Sequence, residues 1–246
     1  MAIVGSSGGG ASPFLGFKPN DIAGLVMHFD ARVFSSFTLT PVTDKIQQWD
    51  DLSGNGHHAV QALTSKQPKY LPGGFNARPA AVGDGGHFLN TNFILPDSYA
   101  GTVFCVWRTA PSYASGQDGP YGVLRSDERF YIYTNTVPEV VWGCGDGASQ
   151  SSAPPVSSLL YTTQIIGAGK QNCWQNGVQK VTDDSHTFTT PISKFYLFAV
   201  NVNLSAARHL DGSIAEFIMY DNVLSDGDRL MIENNLRIKW GDLEAA

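Results

Sequence analysis

At 246 residues the chain fits a single domain, because all-β sandwiches of about 200–250 residues commonly fold as one unit. Hydrophobic residues make up 42% and charged ones only 15%, and the 26 glycines and 13 prolines exclude a fold built from long helices, which both residues break. The net charge of −6 with scattered Lys and Arg excludes a nucleic-acid binder, which needs clustered cations to displace phosphate counterions.

The N-terminus reads Met1-Ala2-Ile3-Val4 and then Gly5–Gly10, GSSGGG. It has no basic n-region and no apolar h-region, so it is not read as a secretory signal. The Gly/Ser tract suits a flexible arm, taken here as residues 1–23, that either stays disordered or orders against a neighbouring subunit. No apolar run reaches the roughly 18 residues of a membrane helix.

Regular structure is expected from Gly24. Gly24–Asp30 is a short apolar run like a strand buried on both faces. Similar runs, rich in β-branched and aromatic residues, follow at Thr102–Trp107, Arg129–Tyr133, Glu139–Trp142, Leu159–Ile166, Lys194–Val200 and Ser213–Tyr220. Asn55-Gly56, Asp84-Gly85, Asp118-Gly119, Asp146-Gly147, Asn176-Gly177 and Asp211-Gly212 read as turns. Asn176-Gly177, between Cys173–Gln175 and Val178–Val181, is the clearest hairpin. One helix is predicted after Ser225, with Asp228 completing a capping-box-like start. Leu230, Met231, Asn234 and Ile238, widened by Leu236 and Trp240, form its apolar face, and Gly241 stops it. Cys105, Cys144 and Cys173 are odd in number and widely spaced, which reads as free thiols rather than disulfides or a zinc site.

Several segments resemble the laminin-G-like, concanavalin-A-like jelly-roll family. They are Gly24–Ala31; Ile46–Ala59, with Trp49, an acidic residue and then SGNGHHA; Ala77-Arg78-Pro79-Ala80 followed by Asp84-Gly85; and Gly212–Asp221 with the capped helix ending Lys239-Trp240-Gly241. Together they span about residues 24–241. The resemblance implies an all-β fold of two antiparallel sheets packed face to face, with one C-terminal helix, over residues 24–246. One departure is Gly83, where family members often carry an aromatic residue before the Asp-Gly turn.

Sandwich glycosidases place two carboxylates on one strand about 5–5.5 Å apart in retaining enzymes, so the strand reads Glu-x-Asp-x-x-Glu or similar. No such string occurs. Glu216 stands alone among apolar residues, and the adjacent Asp183 and Asp184 are expected in a turn. Gly167–Lys170 lacks the features of a P-loop. The expectation is therefore a chain that is not an enzyme. His57 and His58 diverge in extended structure and make no chelate, so no metal is assigned. Trp49, Asp51, Asn55, Gly56 and His58 are read as a structural motif in which an Asp accepts backbone N–H groups and Asn-Gly turns the chain. The rival reading of that segment is a Ca²⁺ site, which needs six to eight oxygens that the segment does not supply; otherwise no cofactor is expected. Trp107, Tyr133, Trp142 and Trp174 are weighed as sugar-stacking rings. Trp142, with Asp146 and Tyr133, is the preferred ligand site because a glycine-rich stretch follows it.

Taken together, these features lead to the expectation of a virion structural or attachment protein, a capsid decoration or tail component. It would be oligomeric in the particle, joined to other subunits through its arm, with a cell-surface glycan as an added partner and neither nucleic acid nor membrane. The alternative is a carbohydrate-binding module of extracellular or cell-surface location, unrelated to a virion. A second alternative is a polysaccharide hydrolase.

Overall fold

The computed structural model describes residues 17–96, 99–110, 118–123, 129–134, 139–145, 147–152, 160–167, 169–185, 194–200 and 208–241. A short 3₁₀ turn at Pro19–Asp21 leads into β1 (Leu25–Asp30), β2 (Phe37–Leu39), β3 (Ile46–Trp49), β4 (Ala59–Val60), β5 (Lys69–Phe75), β6 (Arg78–Asp84) and β7 (Leu89–Asn90). Then come β8 (Gly101–Thr109), β9 (Asp118–Val123), β10 (Arg129–Thr134), β11 (Glu139–Gly145), β12 (Gly147–Ser152) and β13 (Leu160–Gly167). The chain closes with β14 (Lys170–Gln175), β15 (Val178–Ser185), β16 (Phe195–Leu197), β17 (Ala199–Val200), β18 (Arg208–His209), β19 (Asp211–Tyr220) and helix α1 (Asp226–Trp240).

These strands form the predicted two-sheet sandwich. An eight-stranded sheet runs β15-β14-β13-β8-β19-β6-β5, with β1 as its eighth strand beside β19; a nine-stranded sheet runs β12-β11-β10-β9-β16-β7-β4-β3-β2; and β17 pairs with β18. The pairings among the described residues are antiparallel. Strand β19 is the axis of the first sheet. One edge pairs with β8 along its length; the other is shared, with β6 taking Asp211–Ile214 and β1 taking Glu216–Tyr220. Side chains alternate across a strand, so Phe217 and Glu216 leave β19 on opposite faces. Phe217 enters the sandwich, where it meets Phe29 at 6.3 Å, Tyr121 at 5.3 Å and Phe195 at 5.4 Å between ring centroids. Trp49 closes the cluster against Phe29 at 5.4 Å. Three of these rings come from the second sheet, so the aromatic cluster joins the two layers.

Glu216 turns outward, under the helix. Its cross-strand partner on β1 is Asp30, and two facing carboxylates repel. The Lys239 ammonium lies between them, 2.6 Å from Asp30 Oδ2 and 2.7 Å from Glu216 Oε1. His28 Nε2 is 2.9 Å from Glu216 Oε1, and Trp240 Nε1 donates to Oε2 at 2.6 Å. All of these side chains are largely buried. Burial by itself would raise the Glu216 carboxyl. The Lys239 charge and the His28 hydrogen bond outweigh it and hold the group at about 2.

The helix starts as predicted. Ser225 Oγ accepts the Asp228 N–H at 3.2 Å and donates to the Asp228 carboxylate at 2.7 Å. Gly241, with φ 87°, ends it. The buried face differs from the expected one. Arg229, Ile232, Glu233, Leu236 and Trp240 turn inward, while Leu230 and Ile238 are exposed. The cause is electrostatic. Arg229 pairs with Glu233 at 2.9 Å and lies 4.4 Å from the Trp174 ring centre, and Glu233 accepts from Thr163 Oγ1 at 2.8 Å. Charged residues satisfied in this way tolerate burial, which a hydropathy pattern cannot register.

Other expectations change in detail. Lys194–Val200 is not one strand. Phe198, fully buried at φ 65°, interrupts it, and its N–H bonds Pro120 O at 2.7 Å to hold that left-handed conformation. The same ring answers the Gly83 departure. A Cβ on Gly83 would lie 2.5 Å from Leu210 O and 3.0 Å from Phe198 Cδ1, so the aromatic at this spot arrives from residue 198 rather than 83. Asp118-Gly119 and Asp211-Gly212 are strand, not turn. Gly212 is required because a Cβ would meet Arg108 O at 2.1 Å. Asp183 and Asp184 lie in β15. Asn176-Gly177 is the hairpin turn, with φ of 51° and 78°. Residues 17–23, assigned from sequence to the arm, already pack on the sandwich, with Tyr220 donating to Pro19 O at 2.9 Å. The Gly5–Gly10 tract and Asp146 lie outside the described residues. Cys105 and Cys173 are buried free thiols.

Lys239→Met removes the cation and leaves Asp30 and Glu216 facing each other without it; urea unfolding is expected to show a loss of about 3–5 kcal/mol. In the unsubstituted chain the folded-state carboxyl of Glu216 lies below its ordinary 4.5. Its contribution is therefore complete above that value and is lost as pH falls toward 2. Urea titrations across this range are expected to show a smaller acid-induced loss in Glu216→Gln than in the parent.

Candidate functional site

The segment from Trp49 to Ala59 leaves β3, crosses to the other sheet and returns as β4. Trp49 is fully buried and anchors its start. Asp51 organises the rest of the loop. Its Oδ1 accepts the N–H groups of His28 and Ser53 at 3.0 and 2.9 Å. Its Oδ2 accepts the Ser53 hydroxyl at 2.7 Å and the His57 N–H at 3.1 Å. Asn55 Nδ2 donates to Leu25 O at 2.8 Å and Val26 O at 3.0 Å on β1. Gly54 and Gly56 take the positive φ angles, 93° and 77°, that let the chain reverse around the carboxylate. The donors around Asp51 are the arrangement that an anion held by N–H and O–H groups requires, which accounts for this acid in terms of loop structure.

His57 and His58 leave this loop in opposite directions, and their hydrogen bonds give them opposite tautomers. His58 Nδ1 accepts the Asp51 N–H at 3.1 Å, so in the neutral ring Nε2 carries the proton. His57 Nδ1 is 2.8 Å from Asn92 Oδ1. Because that oxygen only accepts, Nδ1 is protonated and Nε2 is an acceptor.

Each ring lines a different groove, and the two grooves share Ile94, which is 61% exposed. The larger, about 660 Å³, has His57, Asn55 and Asp221 as polar groups against Phe93, Pro96 and Tyr99. The smaller, about 450 Å³, has His58, Gln48, Asn90, Asn92 and Lys194 around Val60 and Ile94. Gln48, Val60 and Asn90 are successive cross-strand partners, so they share one face of the nine-stranded sheet. Planar amides and an imidazole beside apolar surface suit a ligand that carries hydroxyls on an apolar ring.

A third groove of about 520 Å³ lies beside α1 and reaches His28, Asp30 and Lys239. His28, Asp30 and Glu216 hold their ligand atoms within 4.8 Å of one another, the one such grouping among the described residues. The Lys239 ammonium already supplies the positive charge there.

The sequence's preferred ligand site is not assembled as expected. Trp142 is fully buried on β11 and belongs to the main core, so its ring has no free face for a sugar. Tyr133 is on β10 opposite Val141, and Asp146 lies outside the described residues. Trp107 and Trp174 are buried as well. Sequence reasoning missed Asn90, Asn92, Ile94 and Lys194, none of which sits in a recognisable motif. The paired histidines were weighed only as a chelate, and the groove that each lines depends on residues distant in sequence.

The fold and this surface define a jelly-roll sandwich with an open polar groove pair on one side. No protein-family model and no curated protein matches the sequence. Solved structures do share the fold. Trypanosoma rangeli sialidase in complex with sialic acid superposes with a TM-score of 0.61 at 14% identity, covering 89% of this chain and 33% of the sialidase. The same sialidase with the inhibitor DANA gives a TM-score of 0.62 at 12% identity over 86% of this chain and 33% of the other. The CBM40 of Ruminococcus gnavus IT-sialidase gives 0.47 at 17% identity over 55% of this chain and 83% of that one. The chain thus spans about a third of the length of the Trypanosoma sialidase chains it matches. This likeness is one of fold and does not assign the chain to the laminin-G-like family. It does correct the expectation that the chain is not an enzyme. The fold recurs inside sialidases, so the missing Glu-x-Asp-x-x-Glu strand no longer excludes one.

In Asp51→Asn the new NH₂ faces the N–H groups of His28 and Ser53 if it replaces Oδ1, and the His57 N–H if it replaces Oδ2. Thermal and urea unfolding are expected to show a loss of about 3 kcal/mol, with the core otherwise intact by near-UV circular dichroism.

Proposed function

We propose that this chain is a carbohydrate-binding sandwich domain whose ligand sits on the surface around Ile94. One observation carries the reading: an exposed aliphatic side chain stands between two grooves edged by amides and imidazoles. Sugars present hydroxyl groups around a partly apolar ring, and such a surface meets both features at once. The sialidases that share the fold lend support, since one of them is solved with sialic acid. A glycan partner and an extracellular or cell-surface setting belong to the same reading. A second reading places the domain within a larger glycan-processing enzyme, because the matched region is only a third of the sialidase chain. No feature among the described residues favours the virion reading of the sequence.

A glycan array followed by calorimetry tests the proposal. The chain is expected to bind a defined set of glycans, and Ile94→Ser is expected to weaken that binding about tenfold, the worth of partly burying one aliphatic side chain. Its melting temperature should stay near that of the parent, because residue 94 is exposed. No binding to any glycan, or undiminished binding by Ile94→Ser, overturns the assignment.

A further inference from the structure

The two grooves differ in hydrogen-bonding polarity, and the difference originates in what meets each ring's Nδ1, a backbone N–H at His58 and a side-chain amide oxygen at His57. In the smaller groove the described lining residues include no carboxylate, although the chain has 22 acidic residues against 16 Lys and Arg. Lys194 lines this groove, is exposed, and has no ion-pair or hydrogen-bond partner among the described residues. His58 lines the same groove. The Asp51 N–H on its Nδ1 leaves Nε2–H as a donor on the ring edge away from the loop. Its ring is only partly covered, with 43% of the side chain exposed. Asp50 lies on the loop side of the ring, 3.4 Å from His58 Nδ1, and the Gln48 amide holds it at 2.6 Å. The larger groove has the opposite character: His57 Nε2 accepts, and Asp221 adds a carboxylate.

We infer that the smaller groove binds the carboxylate of an acidic sugar, with Lys194 and His58 Nε2–H as the groups that receive it. This rests on the carbohydrate-binding reading above and names its ligand class. A lysine ammonium and an imidazole N–H offer a carboxylate two hydrogen-bond donors, the first of them charge-assisted. Asn90 and Asn92 flank the pair and serve the ring hydroxyls. The groove is open, so the ion pair is partly hydrated and sensitive to salt. An acidic sugar must also approach a chain of net charge −6, which makes Lys194, without a partner among the described residues in a groove whose described lining holds no carboxylate, the place of entry.

The test compares the full chain, Lys194→Gln, Lys194→Arg and the control Lys180→Gln, which removes an exposed charge from β15. The probes are an array of neutral and carboxylate-bearing glycans, then calorimetry with the best acidic binder and its carboxamide derivative. Acidic glycans are expected to bind in preference to neutral ones, and the carboxamide about tenfold more weakly than the acid. Lys194→Gln should lose about tenfold for the acid and little for the carboxamide. Lys194→Arg should keep most of the affinity, Lys180→Gln should change nothing, and added salt should weaken the parent more than Lys194→Gln. Equal binding of acid and carboxamide, or an acid affinity indifferent to Lys194→Gln, overturns this inference and leaves the carbohydrate-binding reading standing. Absence of binding to every glycan overturns both.

Discussion

The ion pair made by one ammonium between two carboxylates holds the closing elements of this fold in place. Asp30 and Glu216 face each other across neighbouring strands, an arrangement that repels in isolation. Lys239 arrives from the last turn of the helix and converts that repulsion into a clamp. The same strand carries Phe217 into the aromatic cluster on its other face. The registry of β1, the seat of α1 and the packing of the two sheets therefore all meet at two consecutive residues of β19. A buried charged cluster is not in itself a gain over apolar packing. What the cluster fixes is geometry, because one ammonium from α1 reaches an acid on β1 and an acid on β19 together.

The groove pair shows how a short loop can set chemistry on both its sides. His57 and His58 are neighbours in sequence and share one scaffold residue, Asp51, yet they present opposite hydrogen-bonding characters. Neither character is intrinsic to histidine. One ring has its inner nitrogen met by a backbone N–H, the other by an amide oxygen. Ile94 then separates a groove with a carboxylate from one with a lysine.

Much of the architecture was legible in the sequence. Short apolar runs, Asn176-Gly177 and the Ser225 cap each reflect local backbone physics, and the structure places strand, turn and helix there. The misreadings share a cause. Leu230 and Ile238 look like a core face, but ion-paired Arg229 and Glu233 displace them. Asp211-Gly212 looks like a turn, but its glycine answers a close approach by a neighbouring strand. Trp142 looks available beside its glycines, whereas it fills the core. In each case the deciding neighbour lies far away in sequence or in another turn of the chain. The candidate site was the least legible part, since Gln48, Asn90 and Lys194 come together only when three separate stretches of chain line one groove.

The loop around Asp51 begins and ends on the nine-stranded sheet, yet its hydrogen bonds run to β1 of the eight-stranded one. It is thus a strap between layers rather than a free surface excursion. Its Ser53 and His57 amides are both held by the Asp51 carboxylate that also binds β1. A ligand seated against such a strap meets groups that are already fixed in position. Little ordering entropy is then lost on binding, and discrimination between ligands rests on the match of donors and acceptors rather than on a loop that adapts to each.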